Sequence, residues 1–203
     1  DQGLVLPPTI APEQVVVVPI WGEENREDVL EYAEGLTADL REAGVRVEFD
    51  DRDERNPGFK FNEHELHGVP LRVEIGPNEV EDREATLVHR PDGEKSVVDR
   101  EGIAGTVGEH LDTVYAKLYA AAEENLEENV RSAGERSELL GTIGRFGGYV
   151  RAPWCGDEAC EAEIKDEIAA EIVMIPFDES PDGDDCAVCG EVATEPAYFA
   201  KSY

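Results

Sequence analysis

The sequence predicts an α/β domain, a mixed sheet flanked by helices, followed by a small α+β domain. Three observations predict it. Apolar segments with strand and helix periods alternate over the first 122 residues, the composition turns polar past Glu123, and all four cysteines fall in the last fifty residues.

The elements follow in order. Residues 15–20 are a continuous apolar run of strand length. Val29, Ala33, Leu36, Leu40 and Ala43 then recur at three- and four-residue steps, the pattern of a helix, and Gly44 closes it. Residues 45–49 read as a strand, residues 50–58 as a polar loop ending in a Pro57-Gly58 turn, residues 61–66 as a short helix and residues 69–75 as a strand. Two further strands, 85–90 and 95–99, flank the hairpin signal Pro91-Asp92-Gly93-Glu94. From Ile103 a long helix carries Val107, Leu111, Val114, Leu118 and Ala122 on one stripe. Past Glu123 that stripe thins to Leu126 and Val130, which places the domain boundary there. The second domain reads as a strand over 147–151, a helix carrying Ile164, Ile168 and Ile172, and a strand over 172–177. The expected segments are 1–14, 15–122 and 123–203.

Of 203 residues, 48 are acidic and 18 basic, a formal net charge of −30. This exceeds the magnitude of roughly 2 to 8 that keeps a small domain soluble. An acidic tail or a cation buffer would gather its charge in a block, whereas here Asp and Glu are spread along the whole chain. The pattern fits the molar salt inside an extreme halophile, where the Debye length falls to about 3 Å. At 40% hydrophobic residues the chain can still bury cores. No run approaches the roughly 20 apolar residues of a spanning helix. Asp1 opens no basic leader, so a cytoplasmic location without a membrane is expected.

The cysteines form two close pairs, Cys155-x4-Cys160 and Cys186-x2-Cys189, with Gly156 and Gly190 beside a ligand in each. Four thiolates delivered as two knuckles suit tetrahedral zinc. Two disulfides, free buried thiols and a redox pair at Cys186 and Cys189 are the alternatives; a cytosolic compartment argues against the first, and a redox pair leaves the other two cysteines unexplained. A domain of about 80 residues gains from such a staple.

Catalytic motifs are absent. No phosphate loop is present, and Gly141, Gly144, Gly147 and Gly148 read as turns and not as a dinucleotide fingerprint. His64 and His67 lack the four-residue step of a zinc protease and read as solvated helix positions. Among 48 carboxylates, chance pairing empties any acid/base dyad of meaning.

At Asp51-Arg52-Asp53, through Pro57-Gly58-Phe59-Lys60-Phe61-Asn62-Glu63, then Glu65-Leu66, Gly68-Val69-Pro70-Leu71-Arg72 and Glu74-Ile75-Gly76-Pro77, the chain closely resembles the archaeal and eukaryotic-type branch of the prolyl-tRNA synthetase family. Arg151-Ala152-Pro153-Trp154-Cys155-Gly156 and Phe199-Ala200-Lys201-Ser202-Tyr203 resemble the same branch. The resemblance implies a class II ligase in which a catalytic domain precedes an α/β anticodon-binding domain and a C-terminal zinc-binding domain. Residues 1–14 resemble the tail of the catalytic domain, whose proline and ATP pocket is missing, so the chain alone is not expected to activate proline. The full-length enzyme would use ATP and magnesium, bind tRNA(Pro) and form a homodimer.

For the anticodon, the resemblance implies that Phe61 offers a stacking face and that Glu65, Arg72 and Lys95 read the edges of the two guanines shared by proline anticodons. Glu79, standing where relatives tend to carry an aspartate, is the fifth tRNA-binding position that the resemblance implies. A carboxylate accepts from guanine N1 and N2, and Arg or Lys donates to O6 and N7. Outside that motif, Phe61 would read as core and the charged residues as surface ion pairs. The resemblance also places the Tyr203 carboxylate near the catalytic pocket. Two other functions compete: a stand-alone anticodon-domain protein without ligase activity, and a zinc-dependent thiol redox protein.

Overall fold

Four valines and a proline form the first strand, β1 (Val15–Pro19), which is buried at every position. A strand without an exposed face belongs inside a sheet covered on both sides. The computed structural model describes residues 3–201. It places β1 between β2 (Val47–Phe49) and β3 (Leu71–Ile75), with β4 (Glu84–His89) and β5 (Lys95–Asp99) beyond β3, in the order β2-β1-β3-β4-β5. The first three strands run parallel, and β4 and β5 add antiparallel pairs. Helices α1 (Arg26–Glu42) and α2 (Pro57–His67) connect the parallel strands, and a short helix α3 (Pro77–Asp82), unseen in the periodicity, links β3 to β4.

The two sheet faces differ. Val15, Val17, Leu71, Val73, Ala85 and Leu87 meet Val29, Ala33, Leu36 and Leu40 of α1 and Ile103, Val107 and Leu111 of α4 (Ile103–Asn129) in one core. Each buried Leu or Val contributes about 1.5–3 kcal/mol. On the opposite face Val16, Val18 and Val69 pack with Phe61 of α2. Over β4 and β5 that face is open, and Val97 is 61% exposed.

The Pro57-Gly58 pair is the first turn of α2 and not the expected turn. The Asn56 side chain caps the helix by accepting from Phe59 N at 2.9 Å, and Pro57 occupies the first position, where a missing N–H costs nothing. Gly68 ends α2 in the left-handed region (φ 78°); a Cβ there would stand 2.7 Å from Leu4 Cβ.

The chain divides into two compact units between Ala121 and Ala122, within α4. In the second unit β6 (Val130–Ser132), β7 (Tyr149–Trp154), β8 (Ala170–Met174) and β9 (Glu195–Lys201) form a sheet in the order β6-β7-β9-β8, with only β6 and β7 parallel. Helices α5 (Arg136–Phe146) and α6 (Glu158–Ile168) pack on it through Leu139, Ile143 and Ile164, with Phe199 and Trp154 in the same core. Gly141 and Gly144 lie inside α5, so they are not turns. Gly148 (φ 70°) lets the chain re-enter the sheet, since a Cβ would fall 2.5 Å from Asn129 O. Helix α6 stops at Ile168, where Ala169 turns left-handed, so Ile172 belongs to β8 and not to the helix. Strand β8 stops at Met174 after a bulge and does not reach Phe177, which is exposed. Among the described residues, no helix is long and apolar enough to cross a membrane.

Candidate functional site

Strand register puts one row of side chains across the open sheet face. Glu48 pairs with Val16, Val16 with Arg72, Arg72 with Val88 and Val88 with Lys95. Glu74, two residues along β3, shares the face of Arg72 because side chains alternate with period two. Helix α2 brings Glu65 to the same place. The result is a cleft of about 320 Å³ lined by His64, Glu65, Arg72, His89, Arg90 and Lys95 among others.

The charged side chains in it are tied into a chain. Arg72 Nη1 donates to Glu65 Oε1 at 2.7 Å and Arg72 Nε to Glu74 Oε1 at 3.0 Å. Lys95 Nζ reaches Glu74 Oε2 at 3.1 Å. Phe61, packed against the sheet, carries the Arg72 guanidinium 4.1 Å above its ring centroid. The arrangement offers both signs on a planar support: cationic donors from Arg72 and Lys95, and the second carboxylate oxygen of Glu65.

Beneath α2 lies a second network. Asp50, at the end of β2, accepts from Arg52 Nε at 2.8 Å, Arg52 Nη2 at 2.7 Å and His64 Nε2 at 2.9 Å. Lys60 Nζ donates to the Asp50 carbonyl at 2.9 Å and lies 5.0 Å from the Trp21 ring centroid. His64 is 3% exposed, so it is a buried anchor of α2 and not a solvated position; His67 is exposed as expected. Burial pushes the Lys60 ammonium below its ordinary pKa, partly opposed by Asp50.

Of the His- and acid-bearing clusters among the described residues, Asp50–Glu63–His64 already holds Arg52, and His89–Asp92–Glu94 already holds Lys117. The four cysteines hold no protein cation. Their sulfurs all lie within 4.8 Å of one another, with Cys155 3.7 Å from Cys160 and 3.8 Å from Cys189. These spacings are far beyond a disulfide bond of about 2.05 Å. Cys155 follows β7, Cys160 sits in the first turn of α6 capped by the Asp157 side chain, and Cys186 and Cys189 close a turn through Gly190 N to Cys186 O at 2.9 Å. Burial raises the Cys160 thiol. Burial acts the same way on Cys186, but backbone N–H groups of Cys189, Val188 and Cys155 outweigh it and bring that thiol down to about 7. The cluster can hold a metal ion.

The fold thus gathers Phe61, Glu65, Arg72 and Lys95, and separately Cys155, Cys160, Cys186 and Cys189. Glu79 is used by the fold: its Oε2 accepts from Gly76 N at 2.9 Å and its Oε1 from Thr86 Oγ1 at 2.9 Å, capping α3. Tyr203 lies outside the described residues. Sequence reasoning missed Glu74, Asp50 and His64 as organising groups; the period-two step from Arg72 was the available signal for Glu74.

The chain thus consists of an α/β unit with a half-open mixed sheet followed by an α+β unit with a four-sulfur cluster. Residues 14–110 match the family described as anticodon binding domain, and residues 137–203 the family described as prolyl-tRNA synthetase, C-terminal. The proline–tRNA ligase of Haloarcula marismortui is 70% identical over 205 residues, covering 100% of this chain and 42% of the relative. That of Halorubrum lacusprofundi is 66% identical over 209 residues, covering 100% of this chain and 43% of the relative. That of Pyrococcus horikoshii is 42% identical over 207 residues, again covering 100% of this chain and 43% of the relative. The chain thus carries an anticodon binding domain and a prolyl-tRNA synthetase C-terminal domain, and it spans less than half the length of these relatives.

Proposed function

We propose that this chain is the anticodon-reading and zinc-binding portion of a proline–tRNA ligase, which joins proline to tRNA(Pro) with ATP and magnesium in the cytoplasm. Residues 15–122 would read the anticodon and residues 123–203 carry the metal. The observation that supports the reading best is the Glu65–Arg72–Glu74–Lys95 chain on an open sheet face. It presents donors for guanine O6 and N7 and an acceptor for N1 and N2 in one cleft. Phe61 serves as the platform beneath Arg72, and a base can stack on the guanidinium from the other side.

Zinc fits the four sulfurs. Thiolates at the vertices of a tetrahedron about 2.3 Å from zinc are about 3.8 Å apart, matching the Cys155–Cys160 and Cys155–Cys189 separations of 3.7 and 3.8 Å. Such a closed four-thiolate site has no open position for substrate, so its role is to hold the second unit together.

The test is the full-length ligase carrying Arg72→Ala. A good base-edge pair is worth about 1–3 kcal/mol, so aminoacylation kcat/KM for tRNA(Pro) falls about 5- to 150-fold. Exchange of the anticodon guanines for adenines, costly for the parent enzyme, costs the variant less. Unchanged kcat/KM and unchanged discrimination would overturn the reading.

A further inference from the structure

We propose that Glu74 is a positioning residue for guanine recognition: it orients the remaining Nη donors of Arg72, with Lys95 beside it, for the bound base. The inference rests on the open sheet face being the anticodon-reading surface.

Glu74 is 9% exposed and lies on β3 in register with Val18 and Thr86. Its Oε1 takes Arg72 Nε at 3.0 Å and its Oε2 takes Lys95 Nζ at 3.1 Å. One buried carboxylate therefore aligns two cations from different strands. Arg72 has five N–H donors in a rigid plane. The Nε donor is committed to Glu74 and one Nη1 donor to Glu65, while Phe61 fixes the plane from below. Nη2 meets no protein acceptor among the described residues. Three donors remain, both on Nη2 and the second on Nη1, enough to meet the adjacent O6 and N7 acceptors of guanine.

The surroundings explain why a buried partner is needed. With 48 acidic side chains against 18 basic ones, an untethered arginine on this surface has many competing carboxylates. Two bonds to Glu65 and Glu74 select one orientation before RNA arrives, which lowers the ordering cost of binding. Lys95 gains more, because its side chain is 57% exposed and its flexible stem has no planar fork of its own. The four charges sum to zero, so the set does not depend on long-range attraction to phosphate.

The experiment compares the full-length parent enzyme, Glu74→Gln and Arg72→Ala on tRNA(Pro) transcripts with guanine or 7-deazaguanine in the anticodon, the latter lacking the N7 acceptor. Glu74→Gln keeps the side-chain shape but removes the charge that gathers both cations. It is expected to raise KM for tRNA about fivefold with kcat little changed and melting temperature retained. The parent loses about tenfold in kcat/KM on the 7-deaza transcript, while Glu74→Gln loses less than threefold. If Arg72→Ala is impaired but Glu74→Gln responds to 7-deazaguanine as the parent does, the positioning role is overturned and the anticodon reading stands. If Arg72→Ala behaves as the parent on both transcripts, the anticodon reading fails and this inference with it.

Discussion

Asp50 is the residue on which α2 depends. Burial alone would raise its pKa, but hydrogen bonds from Arg52 and His64 and the Lys60 charge outweigh it, holding the carboxyl well below the usual carboxylate range. An ionised carboxylate only accepts, so His64 Nε2 must carry the proton it shares with Asp50. Asp50→Asn keeps the volume and removes the charge that Arg52, His64 and Lys60 face. Breaking a buried ion pair from one side costs about 3–5 kcal/mol, and urea denaturation of the variant near neutral pH should show a loss at the lower end. The sign with pH follows from the depressed folded value: the Asp50 contribution is complete above the unfolded carboxylate pKa of 3.8 and fades as pH falls below it toward the folded value. Parent and Asp50→Asn stabilities should therefore converge below about pH 4; a constant gap would mean the charge is not what Asp50 contributes. None of this network was legible in the sequence. His64 sits 14 residues from Asp50, and only the packing of α2 over the end of β2 shows that two polar residues in an acidic stretch are sealed from water.

At the scale of elements, the four-cysteine cluster of the second unit is the sharpest case. Cys186→Ser leaves three sulfurs and a hydroxyl in a site whose backbone N–H donors face the Cys186 sulfur. Zinc affinity should fall by more than the 10- to 100-fold typical of losing an outer-shell partner, and the turn between β8 and β9 should loosen. Metal analysis and thiol titration check this: parent protein holding one zinc and releasing four reactive thiols on chelation, the variant holding less metal. Equal metal content in both would refute the assignment. The gathering of the four cysteines was legible because the spacing within each pair is local. So were β1, α1 and the β4–β5 hairpin, whose apolar periods or turn residues lie within single elements. Helix α5 was not, because glycines at 141 and 144 imitate punctuation while Leu139 and Ile143 alone supply its buried face. Strand β6 escaped as well: three residues, Val130–Ser132, carry no period and are held by pairing with β7. Phe61, Glu65, Arg72 and Lys95 stood out as a set only through the family resemblance, and the register of β1, β3, β4 and β5 then explains why Arg72 and Lys95, far apart in sequence, share one face.

For the whole molecule, the decisive quantity is the net charge of −30. In dilute buffer, where the Debye length is about 10 Å or more, that charge repels both itself and the phosphates of RNA. In molar KCl the length falls to about 3 Å, comparable to the contact distances in the Glu65–Arg72–Glu74–Lys95 chain, so contact pairs survive while long-range repulsion does not. Salt also removes the counterion-release contribution on which phosphate-dominated binding relies, and affinity then declines steeply with a slope near −0.9 per neutralised phosphate in duplexes. An interface built on base edges and stacking has little such contribution to lose. Binding of tRNA(Pro) by the full-length enzyme should therefore weaken between about 1 and about 3 M KCl with a log–log slope shallower than about −2. If Arg72 reads a base edge as proposed, Arg72→Ala should lower the whole line with little change in slope, because phosphate contacts stay in place. Filter binding across that salt range decides it: a steep slope in the parent, or a slope in Arg72→Ala shallower by about one, would assign Arg72 to the phosphate backbone and not to the anticodon bases.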